Sequence, residues 1–495
     1  MDDEDASSLW SIKPPLHNSS HPRDQEPIEV QKLRKWQEER VARRLRGEYE
    51  SAVFQLSDLI SSNLKLPLRI ADVRVEGAHN TRSSFLGFLI NPLLFAPAGT
   101  TSDGGDLESV LHTTRHIGDI LKRTDLFNSV EARLERAKDA LASPNAVDLV
   151  FKTREKGRFF LKTSTELGNN EGSASATARV RNVFGGAETL EASMSLGTTT
   201  RKSFHGSFSA PIAPDLDTYA ELTAFGLQKD LSSYASCSEA LRGIKVIVRH
   251  GIPTTGSHEI AYEAVLRNIG SLTPTASFSI REAAGQTSKS SISYAYTLDT
   301  RDDRVSATRG FYTKIHQELA GLGGDASFYK AETENHVSRL IAPGVSLSFS
   351  ACSGLLWSLD RPSLFSDRFQ LGGPLSVRSF RQNGLGPRDG SDSLGGDTYW
   401  STGLSLVTDL PRKPHWPIKT HLYLNAGRLD SLDKSRSLME NIKSTVGQPS
   451  VSAGVGLIYR FDPVRLEVNF GLPLAASKSD GTRKGLQVGI GLEFL

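Results

Sequence analysis

Cysteine is almost missing from this chain of 495 residues: Cys237 and Cys352 stand alone and far apart. That excludes a disulfide scaffold and a CxxC metal site, so both are read as free thiols. An excess of charge of one sign is missing too, and a net charge of +2 gives no global bias towards nucleic acid. No run approaches the roughly eighteen apolar residues that a membrane helix needs. The start, Met1-Asp2-Asp3-Glu4-Asp5, is the opposite of a secretory or Arg-rich transit signal. Catalytic signatures are absent as well: there is no HExxH, GxSxG or P-loop, and no enzyme is expected. A mean hydropathy of −0.30 would ordinarily mean a soluble protein. A transmembrane β-barrel, however, alternates lipid-facing apolar with lumen-facing polar residues and keeps its average equally low.

What the chain does have is alternation. From 158 onwards, segments of about ten alternating residues follow one another between turn signals, at 158–167, 174–184, 187–197, 201–210, 217–228, 239–250, 257–269, 289–299, 308–321, 326–341, 344–358, 398–409, 418–429, 450–461, 464–473 and 485–495. That makes about sixteen, an even number, as a barrel whose ends return to the same side requires. The clearest strand places Leu486, Val488, Ile490, Leu492 and Phe494 on one face and Gln487, Gly489, Gly491 and Glu493 on the other. A soluble barrel would put its apolar face inward, so alternation alone leaves both settings open. Connection lengths favour the membrane. Gly185-Gly186, Ala342-Pro343 and Asp462-Pro463 are tight, whereas 229–238, 270–288, 359–397 and 430–449 are long, and that sidedness marks an outer-membrane-type barrel. His205, His250, His316, His336 and His421 are scattered over separate strands and lack ligand spacing; they are read as lumen or rim residues, with no metal and no cofactor.

Ahead of the barrel, residues 1–27 are acidic and polar and are read as disordered. Residues 28–67 turn basic, and Val41, Leu45, Tyr49, Ala52, Leu56 and Ile60 recur at helical steps. The plain reading is an amphipathic helix packed on the next domain; the sharper one is binding to an anionic membrane surface or a partner. Residues 68–155 read as strand, two helices and two strands. The patch 85–95 is too short for a membrane anchor and is interrupted by Asn91-Pro92, which makes it domain core.

One long connection is unlike the others. Within 359–397, Gly372, Gly373, Pro374, Gly384, Gly386 and Pro387 bracket Val377-Arg378-Ser379-Phe380, two apolar side chains alternating with a guanidinium. This run resembles the VRGF/IRGF loop of the outer-membrane barrel-assembly superfamily. The stretch Gly395-Gly396-Asp397-Thr398-Tyr399-Trp400 and the strand after it resemble that superfamily's mitochondrial branch, the central barrel of the sorting and assembly machinery. The resemblance implies a loop that folds back into the barrel lumen, with its Arg anchored to the inner wall. The family's Gly is Ser379 here, a departure that bears on any backbone geometry needing positive φ. Asn425 and Glu467 lie on the polar strand face and are the candidate partners of Arg378. The β-α-α-β-β order of 68–155 resembles one POTRA domain, the module that precedes such barrels.

The fold expected is therefore mainly β: an antiparallel transmembrane β-barrel of about sixteen strands over 156–495, preceded by a small α/β POTRA domain and an N-terminal helical and disordered segment. The barrel closes where its first and last strands meet, with Phe159, Leu161 and Thr163 on the first and Gln487, Gly489, Leu492 and Phe494 on the last as the seam residues. The last run also matches the mitochondrial β-signal, polar-x-Gly-x-x-hydrophobic-x-hydrophobic. By resemblance, the function is assembly and insertion of β-barrel precursors into the mitochondrial outer membrane at this seam. The implied setting includes outer-membrane lipid, peripheral subunits on the cytosolic face and an N-terminal domain in the intermembrane space. A passive channel or a polypeptide exporter of the same superfamily is the alternative, and a plug-like loop argues against an open pore. A soluble β-rich binding protein is weakened by the even strand count and the sidedness of the loops.

Overall fold

The computed structural model describes residues 28–45, 48–94, 105–138, 142–168, 171–410, 416–461 and 464–491. The acidic segment 1–27 lies outside the described residues. Two helices come first, α1 (Ile28–Leu45) and α2 (Glu48–Ser62). The stripe expected on one helix is thus divided between two, and Val41 and Ile60 are exposed instead of packed on the next domain.

A small α/β domain follows, built from β1 (Arg69–Glu76), α3 (Ser83–Leu94), α4 (Leu107–Arg123), β2 (Phe127–Arg136) and β3 (Ala146–Glu155). Its sheet has the order β1-β3-β2, parallel between β1 and β3 and antiparallel between β2 and β3. In α4, Val110, Thr114, Ile117 and Leu121 recur at three- and four-residue steps, and that face buries against Leu149 and Phe151 of the central strand. Phe85, Leu86, Leu89 and Ile90 fill the same core from α3. That helix continues through Asn91-Pro92, because Pro92 falls in its last turn and removes only one backbone bond there.

The remaining strands form one antiparallel sheet of sixteen in sequential order. They are β4 (Phe159–Gly168), β5 (Glu171–Arg181), β6 (Thr189–Gly197), β7 (Thr200–Pro211), β8 (Thr218–Asp230), β9 (Ser238–Ile252), β10 (Gly256–Gly270), β11 (Gly285–Asp299), β12 (Gly310–Gly324), β13 (Phe328–Ala342) and β14 (Val345–Ser358), then, after a small hairpin β15 (Arg388–Asp389) and β16 (Asp392–Ser393) in the long loop, β17 (Thr398–Asp409), β18 (Ile418–Asp430), β19 (Ser450–Phe461), β20 (Val464–Ala475) and β21 (Gly485–Gly491). Each strand lies within a few residues of an alternating segment of the sequence. Two long connections carry helices, α5 (Phe278–Glu282) and α6 (Leu438–Gly447).

The orientation of the two faces decides the environment. Leu222, Ile244, Ile260, Leu266, Leu422, Leu424, Phe470 and Leu486 are exposed, while the intervening Thr223, Tyr423, Asn425, Asn469 and Gln487 are buried. A soluble barrel would reverse this, since its apolar side must leave water; here the apolar rows make a lipid-facing wall.

The α/β domain is fixed to the short-turn side. Asn182 Nδ2 donates to Asn80 O at 3.1 Å and to Thr81 Oγ1 at 3.0 Å, and Arg82 N donates to Gly185 O at 2.8 Å. Arg82 also pairs with Glu188 at 2.9 Å. Leu216, held at a φ of +58° in the connection from β7 to β8, inserts into the domain's apolar core.

Candidate functional site

The loop between β14 and β17 is shaped by its glycines. Gly372 and Gly373 have φ of +108° and +117°, which a residue with a Cβ rarely adopts. Leu385 N then donates to Leu371 O at 3.0 Å and closes the loop on itself. Leu371, Val377, Phe380 and Leu385 bury together with Phe369 and with Leu356 and Leu429 of the wall. The wall makes room by lacking side chains. A Cβ at Gly427 would come within 2.8 Å of Val377, and one at Gly471 would collide with Ser379 and Tyr423.

Arg378 is wholly buried at the tip of this loop. Its Nε and Nη2 donate to Glu467 Oε2 at 3.1 and 2.9 Å, and its Nη1 donates to Asn425 Oδ1 at 3.2 Å. The guanidinium also lies 5.1 Å from the centre of the Tyr423 ring. Both candidate partners thus hold it at once. Glu467 is shared: Arg465 pairs with its other oxygen, and Asn469 Nδ2 donates to Oε2 at 2.9 Å. His421 Nε2 donates to Asn469 Oδ1 at 2.7 Å, so this histidine belongs to the network as a hydrogen-bonding member. Two cations on one carboxylate, with Arg378 and Glu467 wholly buried, make each contact of high consequence.

Ser379 sits at a φ of +68°, the left-handed region, which costs a residue with a Cβ about 1–2 kcal/mol. Its backbone is held on both sides. Gln487 Oε1 accepts from Ser379 N at 2.8 Å, Gln487 Nε2 donates to Phe380 O at 2.8 Å, and Arg483 N donates to Ser379 O at 2.9 Å. Arg381 N donates to Gly481 O, again at 2.8 Å. Gln487 therefore faces inward, as its place on the polar face of the last strand implies, and clasps the loop. This clasp was missed, although an amide on the inward face of the last strand was its one visible sign. A second anchor was missed with it: Arg267 of β10 pairs with Asp367 through two bonds, at 2.7 and 3.1 Å, both side chains buried. The loop consequently crosses the lumen from β10 to β20. Beneath it remains a polar cavity of about 500 Å³, lined by Arg301, Glu332, Tyr399 and Arg465 among others.

The first and last strands meet differently from the rest. Their Cα atoms approach within 8 Å, yet among the described residues no ladder joins β4 to β21, whereas every other neighbouring pair is hydrogen-bonded. Phe159 and Leu161 are 83% and 75% exposed, against 53% and 57% for the wall residues Leu266 and Leu422, as befits a strand with one uncovered flank. Thr163 is exposed as well, and Gly489 is buried. Leu492 and Phe494 lie outside the described residues.

A family model described as the Omp85 superfamily domain matches residues 182–494. A SAM50-like protein of Schizosaccharomyces pombe is 36% identical over 456 residues, covering 90% of this chain and 95% of the relative. The sorting and assembly machinery component 50 homolog of Homo sapiens is 32% identical over 432 residues, covering 86% of this chain and 91% of the relative. Among solved structures, BamA from Haemophilus ducreyi lacking POTRA domains 1–3 aligns with a TM-score of 0.70 at 15% identity, over 86% of this chain and 84% of that one, a likeness of fold alone.

Proposed function

Because the chain belongs to the Omp85 superfamily, we propose that it assembles β-barrel precursors and inserts them into the mitochondrial outer membrane at the seam between β4 and β21. The observation that carries this reading is that, among the described residues, no ladder joins β4 to β21 while every other neighbouring pair of barrel strands is hydrogen-bonded. Unpaired backbone groups facing lipid cost several kcal/mol each, so an edge strand there gains by accepting a strand from another chain. The precursor's own terminal strand would pair with this edge, fold stepwise on it and bud off into the bilayer. No chemical catalysis is needed, because each added ladder supplies its own driving force.

The other parts serve that event. The loop, tied by Arg378 to β18 and β20 and by Gln487 to β21, holds the last strand from its inner side while its outer edge stays available. The α/β domain acts as a POTRA module on the short-turn side, in the intermembrane space, where precursors arrive. Peripheral subunits would sit on the opposite, cytosolic face. The same loop fills much of the lumen, which disfavours a passive channel.

Cross-linking tests the proposal. A cysteine placed within Phe159–Thr165 is expected to capture the terminal strand of an arriving precursor, and one within Ile260–Leu266 is not. Equal capture at both positions would overturn it.

A further inference from the structure

Helix α6, in the connection from β18 to β19, is oriented against the usual rule. Its buried residues are Asn441 and Thr445, while Leu438, Met439, Ile442 and Val446 are exposed. It is a built helix, closed at its N-terminus by a capping box between Ser437 and Glu440.

The strands beneath fix which side of the wall it lies on. Trp400 Nε1 donates to Thr445 O at 3.0 Å, and Arg428 Nη1 donates to Gln448 O, just after the helix, at 2.7 Å. On β17, Tyr399 reaches inward to Glu332 and Ser401 lines the lumen cavity, so Trp400 between them points outward. On β18, Leu429 packs on the inward loop, so Arg428, paired with Trp400 in the ladder, also points outward. Below this pair the outward row continues through Leu404 and Leu424. A tryptophan and an arginine at the end of an apolar row mark the headgroup level.

At about 100° per residue, the four apolar side chains of α6 span one sector of roughly 100°. The sector of Asn441 and Thr445, which meets the barrel, lies beside it. Glu440 and Ser444 lie across the helix from the apolar sector, and Lys443 flanks it, long enough to reach a phosphate.

We propose that α6 is an interfacial membrane anchor: it lies in the headgroup region of the long-loop leaflet, against the outer wall of β17 and β18, with Leu438, Met439, Ile442 and Val446 in the lipid. Its occupant is the bilayer because its apolar sector continues the lipid-facing wall. The anchor fixes the height of the wall at β17 and β18, the latter three strands from β21.

The test uses the full chain carrying Cys237→Ser and Cys352→Ser, reconstituted in phosphatidylcholine vesicles with acyl chains brominated near the headgroup. An environment-sensitive fluorophore is placed on single cysteines at Met439, Ile442, Glu440 and Ser444, with Leu422→Cys as a wall position that reports membrane embedding itself. Bromolipid is expected to quench the labels at 439 and 442 at least about threefold more than those at 440 and 444, as suits a helix sunk 5–10 Å into the interface. Aqueous iodide is expected to show the reverse order. Iodide quenching at 442 equal to that at 440, with Leu422→Cys still quenched by bromolipid, would place the face in water and overturn the proposal. Protection of 442 from both quenchers would mean a protein cover and overturn it equally. If the cysteine-free chain does not fold, a photoreactive diazirine residue at Ile442 in the native chain gives the same decision: lipid adducts support the anchor, and adducts only to protein refute it.

Discussion

Glu467 serves two guanidinium groups, Arg378 from the loop and Arg465 from its own strand, with Asn469 as a third donor. Removing Arg378 leaves Glu467 still paired with Arg465, whereas removing the carboxylate leaves both guanidiniums uncompensated, and a broken buried pair typically costs about 3–5 kcal/mol. Arg378→Ala releases the loop and leaves the wall intact, so the chain should stay membrane-integrated while the assembly of a labelled barrel precursor, followed in isolated mitochondria, slows markedly. Normal kinetics would remove Arg378 from the mechanism. Glu467→Gln should be worse, because two buried cations then face each other, and its heat-resistant mobility on a semi-native gel should be lost at a lower temperature than in Arg378→Ala. Cys237 shows the opposite chemistry. It is buried beside β9, and burial, with Glu239 and Asp392 nearby, pushes its thiol up to about 11. Only the thiolate reacts, so maleimide labelling of Cys237 should be very slow at neutral pH and rise about tenfold per pH unit towards that value. Rapid labelling at neutral pH would contradict its burial. At this scale the sequence was partly legible. Arg378 stood out because glycines and apolar residues framed it, and the parity of Asn425 and Glu467 placed them on the right face. The pairing of Arg267 with Asp367 joins residues a hundred positions apart, and no local pattern announces it.

Among the elements, the loop and the wall it touches fit through missing side chains. Gly471→Val should push the loop from its seat, because its Cβ would meet Tyr423 and Ser379. Limited proteolysis within 371–387 should then become fast, with the barrel still folded. Gly447→Ala, where nothing lies within 4 Å, should leave both unchanged and serves as the control. Unaltered protease resistance in Gly471→Val would mean that the loop is held elsewhere. The strands were legible because a wall with lipid on one side and polar groups on the other enforces a strict period of two. Helix α6 was not, since ten residues inside a long polar connection give a weak periodic signal; the Ser437 and Glu440 pair was the local sign that marked its start.

For the whole molecule, an even number of strands brings both ends of the barrel to one side, and the α/β domain is fastened there by Asn182, Arg82 and Leu216. If that side is the intermembrane space, protease added to intact mitochondria should spare residues 1–155 and digest them once the outer membrane is ruptured. Cleavage in intact organelles would reverse the orientation. Barrel closure was only half legible: alternation identifies a first and a last strand, but whether a ladder joins them depends on the pairing geometry of residues more than three hundred positions apart. The seam is also where the account is most exposed. The decisive measurement is precursor insertion by a variant with one engineered cysteine in β4 and one in β21, assayed after oxidation with the bridge confirmed on a gel and again after reduction. The account predicts that insertion stops while the bridge is closed and returns with reductant. Full insertion with the bridge closed would contradict it and favour a route through the lumen.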